Sequence, residues 1–271
     1  MTPLRLLAAA ALLAVGAAIA WWFWRGEAGR SAPVAAPPAE TPAPPAAADP
    51  VLHPVPEPAA DSAAQGQPDE SFNDALRRLL GARPYESFLI PDALVRRLVI
   101  TVDQLPRERV NSQLRPVRRT PGDFLVVEEG GRLLVSPANQ DRYDEAMQAL
   151  AALDLPLMAQ LYFRYYPLFQ QAYTDMGNGG RHFNDRLVEV IDHLLTTPEP
   201  PLVIELVRPR VYYEYADPNL ESASAGRKLL LRLGAEHRET VKQALSSFRA
   251  EIADRNRGAE PPPAESLEPL P

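Results

Sequence analysis

From Leu6 to Trp24 every residue is apolar or Gly, nineteen in a row, and the run closes on Trp21, Trp22, Phe23 and Trp24 before Arg25. As an α-helix rising about 1.5 Å per residue it spans roughly 28 Å, close to the bilayer's hydrocarbon core of about 30 Å. The run therefore predicts a transmembrane helix over 6–24, with Trp21, Trp22 and Trp24 as an interfacial belt. The competing reading is a cleaved secretory signal, since Ala18-Ile19-Ala20 has the small-x-small form of a cleavage site. Cleavage there leaves a chain that starts on four aromatic rings, which favours retention as an anchor. Arg5 precedes the span, and Arg25 and Arg30 follow it with Glu27 between them, so the positive-inside count is nearly balanced. The short leading tail, and the lack of Lys and Arg from 31 to 70, favour a cytoplasmic tail at 1–5 and translocation of the rest. The chain has no Cys, which removes a lipoprotein anchor, disulfides, thiol catalysis and thiolate metal sites.

Residues 25–70 read as a Pro/Ala-rich disordered linker. From 31 to 70 there are eleven Pro, twelve Ala and six acidic residues, too little apolar side chain to offset the entropy of ordering, and the prolines favour extended polyproline II. Fully extended, that stretch reaches on the order of 120 Å. Residues 258–271, with three Glu and five Pro, read as a disordered acidic tail. Setting aside these parts and the charges before residue 31 leaves 71–257 with 25 basic and 25 acidic side chains. A neutral domain gives no global attraction to nucleic acid or to anionic lipid, so no nucleic-acid partner is expected.

The 187 residues of 71–257 suffice for one large domain or two small lobes with a shared core. Ser71 to Asp74 opens a helix ending near Gly81, with Phe72, Leu76, Leu79 and Leu80 on one side. Pro91 starts a helix through about Gln104. Phe124–Glu128 and Arg132–Ser136 flank Glu129-Gly130-Gly131 as a hairpin. Asn139–Leu153 is helical with Tyr143, Met147 and Leu150 inward. Asp154 caps a helix from Pro156 to about Met176 that Gly177–Gly180 stops, and Phe183–Thr196 follows. Val203–Leu206 and Val211–Tyr215 are strand-like, and two helices run through about Leu229 and over Glu236–Ile252. The fold class is mainly α, an α+β domain with minor β.

At Leu161–Tyr173, Phe183–Leu195, Tyr213–Pro218 and Ser224–Gly226 the chain resembles the uncharacterised bacterial family catalogued as domain of unknown function 3014. The resemblance covers about 85–250. It implies a single-span protein with a Pro-rich spacer and a helical C-terminal domain, and it brings no activity, cofactor or partner. The localisation expected is the bacterial inner membrane, single-pass, with the C-terminal domain periplasmic.

Chemistry, if any, is expected within 156–215, which holds most of the Tyr. Tyr162, Tyr166, Phe169 and Tyr173 form one stripe on a helical wheel, either core or a groove for peptide or glycan. Pro167 inside that helix predicts a kink near Phe163 and an opening beside it. Asp185, Glu189 and His193 sit at i, i+4, i+8 on the polar edge of the next helix. That spacing suits an oxygen-and-imidazole metal site or a carboxylate–His base, and equally a solvated face paired to Arg186 and Arg164. His182 and His237 suit cap or surface positions. Arg107, Arg109, Arg115, Arg118 and Arg119 form a basic loop; Arg115, Arg118 and Arg119 are binding candidates for carboxylates or phosphates of a partner. Val211, Tyr213 and Tyr215 face one side of a strand, Tyr212 and Glu214 the other.

The sequence contains no H-E-x-x-H, G-x-S-x-G, S-x-x-K or G-x-x-x-x-G-K motif. No cofactor and no metal are expected. The function class this supports is a membrane-anchored scaffold or binding module for an envelope protein or cell-wall polymer. The alternative is a carboxylate-based glycan hydrolase, which needs only two placed acids: Glu189 with Glu214, or Asp185 with Asp217.

Overall fold

The computed structural model describes residues 49–56 and 70–253. The expected span at 6–24, the spacer at 25–48 and 57–69, and the tail at 258–271 lie outside the described residues. Among the described residues no helix is long and apolar enough to cross a membrane.

The domain is mainly helical with one small antiparallel sheet. Its helices are α1 (Phe72–Leu80), α2 (Ala82–Phe88), α3 (Leu94–Gln104), α4 (Asp144–Ala151) and α5 (Leu155–Thr174). They continue as α6 (Phe183–Leu195), α7 (Pro218–Glu221), α8 (Ala225–Arg232) and α9 (Ala235–Ala253). Strands β1 (Val126–Glu129), β2 (Arg132–Val135), β3 (Glu205–Val207) and β4 (Glu214–Tyr215) pair in chain order.

Local chemistry explains most boundaries. Ser71 caps α1 by accepting from Asp74 N at 3.2 Å, and Asp154 caps α5 by accepting from Leu157 N at 3.0 Å. β1 and β2 meet through a two-residue turn, Gly130-Gly131, whose φ angles of 60° and 77° are those a type I′ hairpin demands. The strand expected over Val211–Tyr215 is confined to Glu214–Tyr215, with Val211 66% exposed while Tyr215 is buried, and the helices depart from expectation in three places. Gly81, at φ 83°, ends α1 but is followed at once by α2, because Pro84 falls in the first turn, where its missing N–H costs no helical bond. α3 starts at Leu94 rather than at Pro91, because Ala93 takes a left-handed φ of 48°. The stretch before α4 is a 3-10 helix over Pro137–Tyr143, yet Tyr143, Met147 and Leu150 all point inward as periodicity requires. Pro167 leaves α5 unbroken.

Two apolar clusters result. The larger is built by the helices around α6, which packs against α3, α5, α8 and α9. The smaller holds Leu206, Tyr215, Leu220 and Leu231 beneath the sheet. α8 serves both, with Leu229, Leu230 and Leu233 in the larger cluster and Leu231 in the smaller. One correction concerns the spacer itself: within it, residues 49–56 lie against the domain near the start of α6, with Val55 packed on the helical core.

Candidate functional site

The N-terminus of α8 organises a cleft. Ala225 N donates to Arg107 O at 2.7 Å and Gly226 N to Leu105 O at 3.0 Å, so the turn after α3 is fixed to α8 by backbone bonds. The approach requires Gly226: a Cβ there would stand 3.2 Å from Leu105 O and 2.5 Å from Leu194 Cδ2. Glu108 and Arg109 are thereby held opposite β4 and α7. Between them opens a cleft of about 560 Å³, lined also by Tyr212, Tyr213, Glu214 and Lys228.

Between the lining residues Ala216 and Pro218, Asp217 caps α7 by accepting from Asn219 N at 2.8 Å, with Pro218 in the first turn. Glu221 then faces back across the short helix. One carboxylate oxygen accepts from Tyr215 N at 2.9 Å and the other from Lys228 Nζ at 3.0 Å. The Lys228 side chain is only 5% exposed and Glu221 30%, so this ion pair fixes β4 to α8 from within. Tyr212, Tyr213 and Glu214 are half-buried, and the Arg208 guanidinium lies 5.4 Å from the Tyr213 ring centre. The cleft thus combines ring faces, carboxylates and an Arg, a mixture suited to hydrogen-bonding and stacking on a polar ligand.

The residues singled out in the sequence are mostly dispersed. Asp185, Glu189 and His193 do not converge. Asp185 accepts from Leu52 N and His53 N, Glu189 pairs with Arg186 at 2.9 Å, and His193 Nε2 lies 2.8 Å from Ser224 Oγ. Among the described residues no group of three or more His, Cys, Asp or Glu forms a metal site. Glu214 lines the cleft and Glu189 does not; Asp217 spends its carboxylate on a cap, as Asp185 does on residues 52–53. His237 pairs with Asp144 at 2.8 Å, while His182 sits at the N-cap position of α6 without a side-chain cap bond.

The aromatic stripe turns inward. Tyr162, Phe169 and Tyr173 are buried and Tyr166 is partly so. Tyr162 O–H donates to Asn184 Oδ1 at 3.1 Å, and burial pushes its pKa well up. An apolar hollow of about 140 Å³ is lined by core side chains such as Phe72, Leu98, Tyr162, Phe183 and Phe248, and Pro167, beside which the sequence predicts an opening, is not among its lining residues. The basic loop is divided. Arg107 pairs with Asp103 and Arg109 lines the cleft, while Arg118 Nε donates to Glu86 O at 2.9 Å. Arg115 is pushed down in pKa by burial and then by Arg119 and Arg97, which places those three cations together.

Sequence reasoning passed over Asp103, Asn184, Glu221 and Lys228. Lys228 carried a signal: it is one of two Lys in the chain and precedes Leu229-Leu230-Leu231, a charge set in an apolar run. Asp103 and Asn184 are defined by partners distant in sequence, Arg186 for the one and His53 and Ile252 for the other, while Glu221 takes Tyr215 and Lys228, which only the folding of β4, α7 and α8 brings to it.

His193, which does not line the cleft, gives the stability of the domain a pH dependence. Burial, then Arg227 and Arg186, lower its pKa, with Glu189 opposing. The native imidazole therefore stays neutral at pH values where the unfolded chain, with a His pKa near ~6.5, has bound a proton. The contribution is complete above ~6.5 and is lost as pH falls through the depressed value. Urea midpoints at pH 7.5 and 5.5 are expected to differ less for His193→Gln than for the parent chain; equal differences would refute the assignment.

The family model described as "Protein of unknown function (DUF3014)" matches residues 94–249. The chain belongs to this family. No curated protein and no solved structure matches it. The family region starts at the first residue of α3 and ends within α9, so it contains the sheet, the cleft and α6. Two of the segments that carry the resemblance, Tyr213–Pro218 and Ser224–Gly226, supply the cleft wall and the helix start that positions it. Residues 49–56, α1 and α2 precede the family region.

Proposed function

We propose that the chain is a membrane-anchored envelope protein whose helical domain is a binding module, displayed by its Pro/Ala spacer on the outer side of the bacterial inner membrane. The observation that supports binding is the Tyr- and Glu-lined cleft between the Glu108-Arg109 turn, β4 and α7. Its volume falls in the range of ligand clefts, about 300–1,000 Å³, and its polar wall suits a saccharide or peptide segment of the cell-wall polymer. Tyr212 and Tyr213 offer ring faces for stacking, and Glu108, Glu214 and Arg109 offer hydrogen-bond partners. Glu221 and Lys228 neutralise one another beneath them and hold the wall in place. The hydrolase alternative requires a second acid facing Glu214 across this cleft; neither expected pairing supplies it, since Glu189, Asp185 and Asp217 do not line the cleft, and the acids that line it with Glu214 are Glu108 and the Lys228-paired Glu221.

The test is co-sedimentation of the full chain with purified cell-wall sacculi. The parent chain is expected to sediment, and Tyr213→Ala combined with Arg109→Ala to weaken binding by about tenfold or more. Equal retention of both, or none of either, overturns the reading of the cleft. A reporter fused after Pro271 that is active only in the cytoplasm overturns the placement.

A further inference from the structure

Residues Asp49 to Pro56 carry Pro at 50, 54 and 56, which restricts the backbone and removes three N–H donors, and the chain bends at Leu52 and His53. Three of the donors that remain are taken up by the domain. Asp49 N donates to Gly180 O at 2.8 Å, Leu52 N to Asp185 Oδ2 at 3.1 Å and His53 N to Asp185 Oδ1 at 2.6 Å. His53 O accepts from Asn184 Nδ2 at 2.9 Å, the Asp49 carboxylate lies 3.7 Å from Arg181 Nε, and Val55 packs on the helical core.

The receiving surface is built for this contact. Asp185 lies in the first turn of α6, where a carboxylate ordinarily turns back to cap its own helix. Here both of its oxygens accept from the docked segment instead. Asn184 beside it is fully buried and joins four parts of the molecule. Its amide also donates to Ile252 O of α9 at 3.2 Å, and its oxygen accepts from Tyr162 of α5 at 3.1 Å. The site reads backbone N–H and C=O groups, an acidic residue and a small apolar side chain, while Leu52 projects to solvent at 70% exposure.

We propose that the start of α6 is a recognition site for a proline-spaced peptide bent at its centre, and that residues 49–56 occupy it in cis as a latch dividing the spacer. On the anchored reading proposed above, the latch sets the reach of the domain. While it is closed, the tether is residues 25–48, on the order of 75 Å at full extension; once it opens, the tether is residues 25–70, on the order of 140 Å. The peptide site itself does not depend on the anchor.

The test is amide-resolved hydrogen exchange on the full chain in detergent. Leu52 and His53 amides are expected to be protected in the parent chain. Asp185→Ala is expected to speed their exchange by about tenfold or more, with Ile191 in α6 unchanged as the control for folding, and Asp185→Asn, which keeps one acceptor oxygen, to fall between. In a second arm, residues 49–56 of the full chain are replaced by a Gly-Ser run of equal length. A synthetic peptide of residues 48–57 is expected to bind this chain, and not the same chain carrying Asp185→Ala. Unprotected Leu52 and His53 in the parent chain, exchange insensitive to Asp185→Ala, or peptide binding that survives it would each overturn the proposal. A dimer in which one copy's segment occupies the other's site would overturn the cis assignment. None of these results depends on which side of a membrane the domain lies, which the Pro271 reporter tests alone.

Discussion

Asp103→Ala is expected to lower the unfolding free energy by about 3 kcal/mol, the low end of what breaking a buried ion pair costs. Asp103, on α3, is 7% exposed, and its two oxygens accept from Arg186 Nε at 3.0 Å and Arg107 Nη2 at 2.6 Å. Arg186, on α6, has a side chain 14% exposed. Burial acts to lower its pKa, and Glu189 and Asp103 more than offset that, leaving it raised. Removing the Asp103 carboxylate leaves a guanidinium at the α3–α6 contact without its inner partner. The low end of the range applies because Glu189 remains at 2.9 Å on the solvent side and Asp103 O still accepts from Arg186 Nη2 at 2.8 Å. Urea unfolding should show an earlier midpoint at an unchanged slope, with Asp103→Asn intermediate because it keeps one acceptor. A loss below about 0.5 kcal/mol would class this contact with exposed surface pairs and refute the assignment.

Phe183→Ala is expected to cost about 3–5 kcal/mol. Phe183 is 1% exposed at the first position of α6, stacked on Phe169 with centroids 5.9 Å apart and tilted against Tyr173 at 5.6 Å. The ring borders the apolar hollow, so truncation enlarges a void that the α5 and α6 backbones cannot close by small shifts. Calorimetry should record a melting temperature lower by on the order of 10 °C for a domain of this size. Phe183→Leu, which refills part of the volume, should recover more than half of the loss. A fully restored stability in Phe183→Ala would mean that the hollow collapses.

The elements legible in the sequence are those whose causes are local. The caps Ser71 and Asp154, the Gly130-Gly131 turn and the inward register of Tyr143, Met147 and Leu150 each depend on residues within a few positions. What escaped depends on the folded surroundings. A helical wheel put Asp185, Glu189 and His193 on one edge and made the Glu189–Arg186 pair legible, but α6 is enclosed by four helices, so the other two turns of that edge meet residues 52–53 and Ser224 instead of each other. Tyr213 to Pro218 could be recognised as a family segment, yet the cleft it lines exists because backbone carbonyls at Leu105 and Arg107 meet the start of α8. Composition reads 31–70 as spacer, and an average over forty residues conceals the eight at 49–56 that lie against the domain. Net neutrality of the domain was legible, whereas the placement of its charges in the Asp103–Arg186 and Glu221–Lys228 contacts was not.

The docked segment also determines how the domain bears mechanical load. A pull arriving from the N-terminal side meets the two Asp185 hydrogen bonds at Leu52 and His53 before it reaches Phe72. Asn184 and Asp185 pass that force directly into α6, which is braced by α3, α5, α8 and α9, and into the end of α9 through Ile252. The tension is first borne where Asp49 is bonded to Gly180, and then by the first turn of α6. It reaches α1, at the periphery, only after the Leu52 and His53 bonds have opened.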